Sequence, residues 1–302
     1  MTEIRIDALL PQEMASRAEY LGVRKAEMPF AKTFMLAILA GAFIALGGIF
    51  ATTVSAGAQA VTSPDGAAAY TVGLPYGVVR LLSGLVFSLG LILVLVGGAE
   101  LFTGNNLIVM AWASGKVSGL SLLRNWLIVY AGNFVGAFST AILMFLTKQY
   151  TFGSNAVGIT ALKTAVAKSD LGFVQAIALG ILCNALVCMA VWLTYSARST
   201  VDKILAIIFP ITAFVAAGFE HSIANMYFIP FGLLVKNFDP AFIDAVSKQV
   251  PHLEKLTWQA FLLNNLVPVT IGNVIGGTVL VAAFYWMIYL RPAAAQSAKE
   301  QK

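Results

Sequence analysis

Charge is scarce in this chain. Of its 302 residues only 11% are Asp, Glu, Lys or Arg, about half the share of an ordinary soluble domain. A water-soluble fold can hide that much apolar sequence in a core, but not over its whole surface. Cysteine and histidine are scarcer still, at two of each. Cys183 and Cys188 lie in one apolar run, five positions apart, so they share a helix face poorly and say nothing about redox compartment. There is no metal-ligand spacing, no nucleotide fingerprint after a strand and no intramembrane Cys–His pair, so no catalytic site, metal or cofactor is expected. The net charge of +5 gathers on no single basic face, which argues against a nucleic-acid partner. The first 32 residues also lack the 7–15-residue apolar stretch of a cleavable signal peptide.

What the chain has instead is long runs without charge: 33–64, 81–99, 101–115, 125–147, 171–197, 204–219, 221–235 and 256–290. A spanning helix needs roughly 20 apolar residues. Runs 33–64, 125–147, 171–197 and 256–290 suffice alone; the other four form two pairs, each divided by one glutamate, Glu100 or Glu220. The spacing predicts an all-α membrane protein of six spans, the second and fifth broken near their middle. Before them, Leu9, Leu10, Met14, Ala18 and Leu21 recur at near-helical spacing, predicting an amphipathic helix on the membrane surface that either positions the first span or regulates it.

Six spans put both termini on one side. That side, with the 116–124 and 198–203 loops, holds twelve of the nineteen basic residues and six of the seven arginines. The longer loops 56–80, 148–170 and 236–255 carry the rest. The termini are therefore expected in the cytoplasm, and membrane lipid is the chain's surroundings.

The chain also repeats itself. Asn125-Trp126-Leu127-Ile128-Val129-Tyr130-Ala131-Gly132-Asn133-Phe134-Val135-Gly136 aligns without a gap on Asn265-Leu266-Val267-Pro268-Val269-Thr270-Ile271-Gly272-Asn273-Val274-Ile275-Gly276, with five identities. Both broken spans read Gly-x-Glu-x-x-x-x-Asn, at Gly98–Asn105 and Gly218–Asn225. Three spans per copy is an odd number, so the copies are inverted, and broken helices at matching positions mark a transport path at the repeat interface. The repeats are placed at 33–147 and 171–290, within one channel domain of 33–290 that follows a 1–32 leader and precedes a 291–302 tail. The Gly-Asn-x-x-Gly elements read as close-packing surfaces, with an asparagine able to bond across.

Glu100, Glu220 and His221 are the ionisable groups set deepest in apolar sequence. Such groups face a cavity or a partner. A carboxylate could also serve structure by accepting the free amides of its own break. His221 could donate to an anion or hand it a proton. Thr103 and Ser222 are hydroxyls near the breaks; either is suited to helix capping, and Thr103 equally to bonding a passing anion.

Glu100-Leu101-Phe102-Thr103-Gly104, Gly218-Phe219-Glu220-His221-Ser222-Ile223-Ala224-Asn225-Met226 and Gly272-Asn273 resemble the formate/nitrite transporter family, over about residues 9–290. The resemblance implies an aquaporin-like six-helix bundle and a homopentamer with one pore per subunit. It implies a central pair at Thr103 and His221 and constrictions at Phe87, Leu91 and Phe214. Pore asparagines fall at Asn184 and Asn225, and an outer-vestibule lysine at Lys168. Glu220 joins the pore centre, and Glu100 and Phe102 the broken-helix loop. Leu9–Ala15, Ser88–Leu93, Pro268-Val269-Thr270 and Ile288–Arg291 are most similar to the bacterial formate channels, although Gly104 stands where those usually have Ser and is more like the nitrite branch. The expected solute is formate or a similar small monovalent anion, with protons involved through His221 and the inner membrane as location. Nitrite or hydrosulfide conduction, and proton-coupled formate symport, are the alternatives. Cysteines introduced at Arg5 and at Lys163 should label from opposite faces of sealed vesicles; labelling from one face refutes the inverted topology.

Overall fold

The computed structural model describes residues 8–56 and 74–291. Residues 1–7 of the leader, 57–73 of the first outer loop and 292–302 of the tail lie outside the described residues. In chain order the helices are α1 (Pro11–Ala26), α2 (Phe30–Ala56), α3 (Tyr76–Gly97), α4 (Val109–Ala113), α5 (Gly119–Leu146), α6 (Ala156–Ser169), α7 (Phe173–Ser196), α8 (Thr200–Ala217), α9 (Ser222–Phe238), α10 (Pro240–Val246) and α11 (Val267–Ile275). Among the described residues, six helices are long and apolar enough to cross a bilayer: α2, α3, α5, α7, α8 and a last span, Ala260–Leu290, that contains α11. The six-span expectation holds.

The packing repeats as the sequence does. α2 lies against α3 and α5, α7 lies against α8 and α11, and α3 meets α8 between them. Glycines allow α5 to approach α2 and the last span to approach α7. A Cβ on Gly136 would overlap the carbonyl of Ile38 in α2, and one on Gly276 would overlap the carbonyl of Ile181 in α7. The bundle's outside is greasy: Leu127, Leu143, Val174 and Phe209 are all more than half exposed. Water would not tolerate so continuous an apolar surface; lipid or another subunit does.

The spans break beside Glu100 and Glu220, as expected. α3 has 22 residues and α8 has 18, or roughly 33 and 27 Å of helix, close to the roughly 30 Å of a hydrocarbon core. Each helix ends directly before the glutamate of its run, so the second and fifth spans are interrupted at Glu100 and Glu220. Both ends close alike, with left-handed Gly98 (φ 79°) and Gly218 (φ 77°) and with Ala99 N–H donating to the Val94 carbonyl (2.9 Å) and Phe219 N–H to the Phe214 carbonyl (3.0 Å). This is the Schellman stop, which glycine adopts without Cβ strain. The chain then turns back into the protein, where Glu100, Leu101, Phe102 and Thr103, and likewise Glu220 and His221, are buried.

Two further helices change the reading of the repeat. α6 occupies the expected outer loop 148–170 and buries Val157, Ala161, Leu162, Ala165 and Val166 against α9 and α2. It stands before α7 as α1 stands before α2, so each repeat begins with a short helix that the 33–147 and 171–290 bounds leave out. α1 itself is docked on protein. Met14, Ala15, Ala18 and Gly22 are buried, within a cluster that includes Leu107–Ala111, Val191 and Trp192. Glu19 on its buried side pairs with Lys116. Arg17 donates to the Tyr195 carbonyl at the end of α7 (3.2 Å), and Gln12 to the Tyr289 carbonyl at the end of the last span (2.8 Å).

Gly136→Ala and Gly276→Ala should each cost about 1–3 kcal/mol through overpacking and lower the melting temperature in detergent. Gly77→Ala, where an added Cβ meets nothing within 4 Å, should leave it unchanged.

Candidate functional site

The two breaks are held by one device used twice. In the first repeat, Glu100 accepts from Lys25 Nζ (2.9 Å) and Asn105 Nδ2 (2.7 Å). Asn105 Nδ2 also reaches Asn125 Oδ1 (2.9 Å), whose amide donates to the Lys25 carbonyl (3.0 Å). In the second, Glu220 accepts from Lys168 Nζ (2.7 Å) and Asn225 Nδ2 (2.7 Å). Asn225 Nδ2 reaches Asn265 Oδ1 (2.7 Å), whose amide donates to the Lys168 carbonyl (2.9 Å). The lysines stand five positions before Phe30 and Phe173, the first residues of α2 and α7. They are carried there by α1 and α6.

The amides of the breaks go to partners other than the carboxylates: Glu100 and Glu220 N–H donate to the Leu36 and Leu179 carbonyls, and one further amide of each break goes to a paired asparagine. Phe102 N–H donates to Asn133 Oδ1 and Ser222 N–H to Asn273 Oδ1, both at 2.9 Å. Asn133 Nδ2 then donates to the carbonyls of Ala37 and Glu100, and Asn273 Nδ2 to those of Gly180 and Glu220. Each asparagine thus staples a returning strand to α2 or α7, with every polar atom used.

Between the clamps lies a pair that the symmetry does not duplicate. Thr103 Oγ1 is 2.9 Å from His221 Nε2. His221 Nδ1 accepts from Ala224 N–H at 3.1 Å and thereby N-caps α9. That bond fixes the neutral ring with its proton on Nε2, donated to Thr103, and leaves the threonine hydroxyl proton to face onward. The cap of α9 is therefore the histidine, and Thr103 makes no side-chain cap bond to the helical turn that follows it. Glu220 does not orient the imidazole. At His221 the backbone is extended (φ −112°, ψ 113°), so neighbouring side chains point to opposite sides, and the carboxylate is spent in its clamp. Asn184 supports the pair from behind: its Nδ2 lies 3.3 Å from the Thr103 carbonyl and 2.8 Å from Asn106 Oδ1. Cys188 Sγ also meets the Thr103 carbonyl, at 3.3 Å.

Aromatic rings close the space beside His221. Phe87 and Phe214 meet edge to face at 5.7 Å, Phe214 lies 5.9 Å from the imidazole, and Phe228 stacks on Phe87 at 6.4 Å. Above them opens a cavity of about 560 Å³ whose walls include Phe87, Phe214, Phe228, His221, Glu220, Lys168, Lys163 and Arg80. Leu91, one turn below Phe87, is buried beneath that cavity floor. Phe102 turns the other way, packing edge-on against Tyr130 at 4.9 Å. A second cavity of about 530 Å³ opens beside the other clamp, bounded by Lys25, Glu100, Arg24 and Lys32.

Thr103, His221, Phe87 and Phe214 are thus brought together, as are Glu220, Asn225 and Lys168 in the adjoining clamp. Lys25, Asn125, Asn265, Phe228 and Arg80 were not singled out as site residues. The signal for Lys25 was present, since its distance from α2 equals that of Lys168 from α7.

A family model described as formate/nitrite transporter matches residues 12–287. The chain is similar to the formate channel FocA of Escherichia coli strain K12, 46% identical over 94% of this chain and 96% of that one. It is also similar to the formate channel FocA of Haemophilus influenzae, 38% identical over 92% and 93%. A solved structure described as a pentameric formate channel with formate bound superposes with a TM-score of 0.76 at 43% identity, covering 86% of this chain and 98% of that one.

Lys168→Met strands the Glu220 carboxylate, whose side chain is 6% exposed, at a cost of up to about 3 kcal/mol. Thermal unfolding in detergent should show that loss, and Lys168→Met/Glu220→Gln should recover most of it. No recovery in the double variant would mean that the lysine acts by packing rather than charge.

Proposed function

The chain belongs to the formate/nitrite transporter family, and on that premise we propose that it forms a homopentameric channel for formate and related small monovalent anions, one pore per subunit. Its place is the inner membrane, with both termini cytoplasmic, as the arginine and lysine distribution supports. The carrying observation is the Thr103–His221 pair at 2.9 Å, set behind the Phe87–Phe214 contact at the floor of a cavity walled by cations.

A bare anion entering an apolar passage loses several kcal/mol of hydration even after relaxation. Phe87, Phe214 and Leu91 are the groups that strip water and exclude hydrated cations. Beyond them the anion needs a donor, and the Thr103 hydroxyl supplies one. It is oriented because His221 Nε2–H occupies its oxygen. A proton arriving from the vestibule would have to take Nδ1 and break the bond from Ala224 N–H, after which the imidazolium can pass its Nε2 proton to a formate oxygen. Formate then continues as formic acid, and the ring is left neutral with its proton on Nδ1; it regains the capped form when Nδ1 releases that proton and Nε2 takes up another. A neutral acid is far cheaper in apolar surroundings than its anion. Glu220 and Lys168 hold the break that carries His221, and Asn225 and Asn184 hold the two halves around it. Gly104 raises no steric objection to this solute, since a Cβ there would only touch a Val191 methyl at 3.4 Å.

Purified protein in liposomes should pass formate down its gradient. Net charge moved per formate separates anion conduction from proton symport, and failure to pass formate while passing nitrite or hydrosulfide overturns the assignment. His221→Asn keeps a hydrogen-bond donor without a titrating proton, so its formate flux should lose most of its dependence on pH. A wild-type pH profile in that variant removes the proton-donor role.

A further inference from the structure

α8 ends at the vestibule, and its end carries the wrong charge for an anion path. Val215, Gly218 and Phe219 line the 560 Å³ cavity, so the end of α8 lies at the space that an anion would occupy. A helix C-terminus is worth about half a negative charge. The Schellman stop already satisfies part of it, with Phe219 N–H on the Phe214 carbonyl and Gly218 N–H on the Val215 carbonyl (3.1 Å). The next carbonyl, that of Ala216, accepts from Arg80 Nε at 3.1 Å, and Arg80 Nη2 donates to Val215 as a second partner. Arg80 comes from the first turns of α3, which packs against α8. It is half-buried and itself lines the cavity.

A neutral donor would serve the Ala216 carbonyl. What arginine adds is a permanent charge on a planar group with donors to spare. The other charged groups on the cavity wall, among the described residues, are Lys163, Lys168 and Glu220. The last two neutralise each other at 2.7 Å. Without Arg80, Lys163 alone would stand against the end of α8. The pseudo-symmetric position, 120 residues on as for Glu100 and Glu220, holds uncharged Thr200.

We propose that Arg80 is a specificity-determining residue of this mouth: by cancelling the negative end of α8 it keeps the vestibule selective for anions. The proposal rests on the anion-conducting reading above, and it is tested in a way that does not depend on flux. Cys183 and Cys188 are buried, so a cysteine introduced by Thr164→Cys on the cavity wall is the accessible thiol. Its modification rates by an anionic sulfonate and a cationic trimethylammonium methanethiosulfonate report the local potential. Adding Arg80→Gln should lower the anionic-to-cationic rate ratio several-fold, as expected for one unit charge at about 10 Å, with the effect shrinking in high salt. Adding Arg80→Lys, which retains the charge, should keep the ratio within about twofold of the parent. In one-sided uptake, Arg80→Gln should raise the half-saturating formate concentration on this face several-fold, with little change in maximal flux. If the glutamine variant does not assemble, Arg80→Met repeats the comparison with the stem retained. An unchanged ratio in Arg80→Gln, or an Arg80→Lys ratio as low as that of Arg80→Gln, overturns the proposal. Wild-type liposomes that pass no formate would sink the transport reading instead, while the labelling ratio still judges Arg80.

Discussion

A helix that stops inside a bilayer leaves amides and carbonyls with no water to meet them, and each unmet group costs several kcal/mol. That constraint organises this protein. Both breaks turn the chain back into the bundle, and both are closed by the same set of partners: a left-handed glycine, an asparagine on the following span, and a lysine–glutamate pair brought by a short leading helix. The ion pairs are nearly dry on the carboxylate side, at 6% exposure each. A buried pair is seldom a large net gain over apolar packing, but removing one partner is strongly unfavourable. The clamps therefore specify where the chain turns more than they stabilise the fold as a whole.

The symmetry of the scaffold makes its exceptions informative. The clamps map onto each other residue by residue, whereas Thr103 corresponds to Ile223 and His221 to Leu101. One repeat gives a hydroxyl and the other an imidazole, and they meet only because the two returning strands approach each other. Arg80 against Thr200 is a second exception, at the rim rather than the centre. The scaffold is inverted and repeated; the chemistry along the path is directional.

α1 and α6 join this scheme in the same way. Each lies beside its own clamp, and each ends close to the lysine it delivers. α1 also donates from Arg17 and Gln12 to the last carbonyls of α7 and of the final span. The leader is thereby part of the packed body, tied to three spans at once.

Much of this was legible along the chain. Charge-free runs fixed six spans, since twenty apolar residues have no other stable home, and the paired Gly-x-Glu-x-x-x-x-Asn and Gly-Asn-x-x-Gly elements fixed an inverted repeat. The pairing of Thr103 with His221, and the places of Phe87 and Phe214, were implied by the resemblance to a known family. Other features depended on partners distant in sequence. Glu100 was expected to serve its own amides, but the deciding donor is Lys25, 75 positions away. α6 was read as loop because its short apolar face has meaning only once α9 lies beneath it. Local pattern determined which segments leave water. Which polar group satisfies which, inside a medium that offers no alternative partner, was decided only when the two repeats closed on each other.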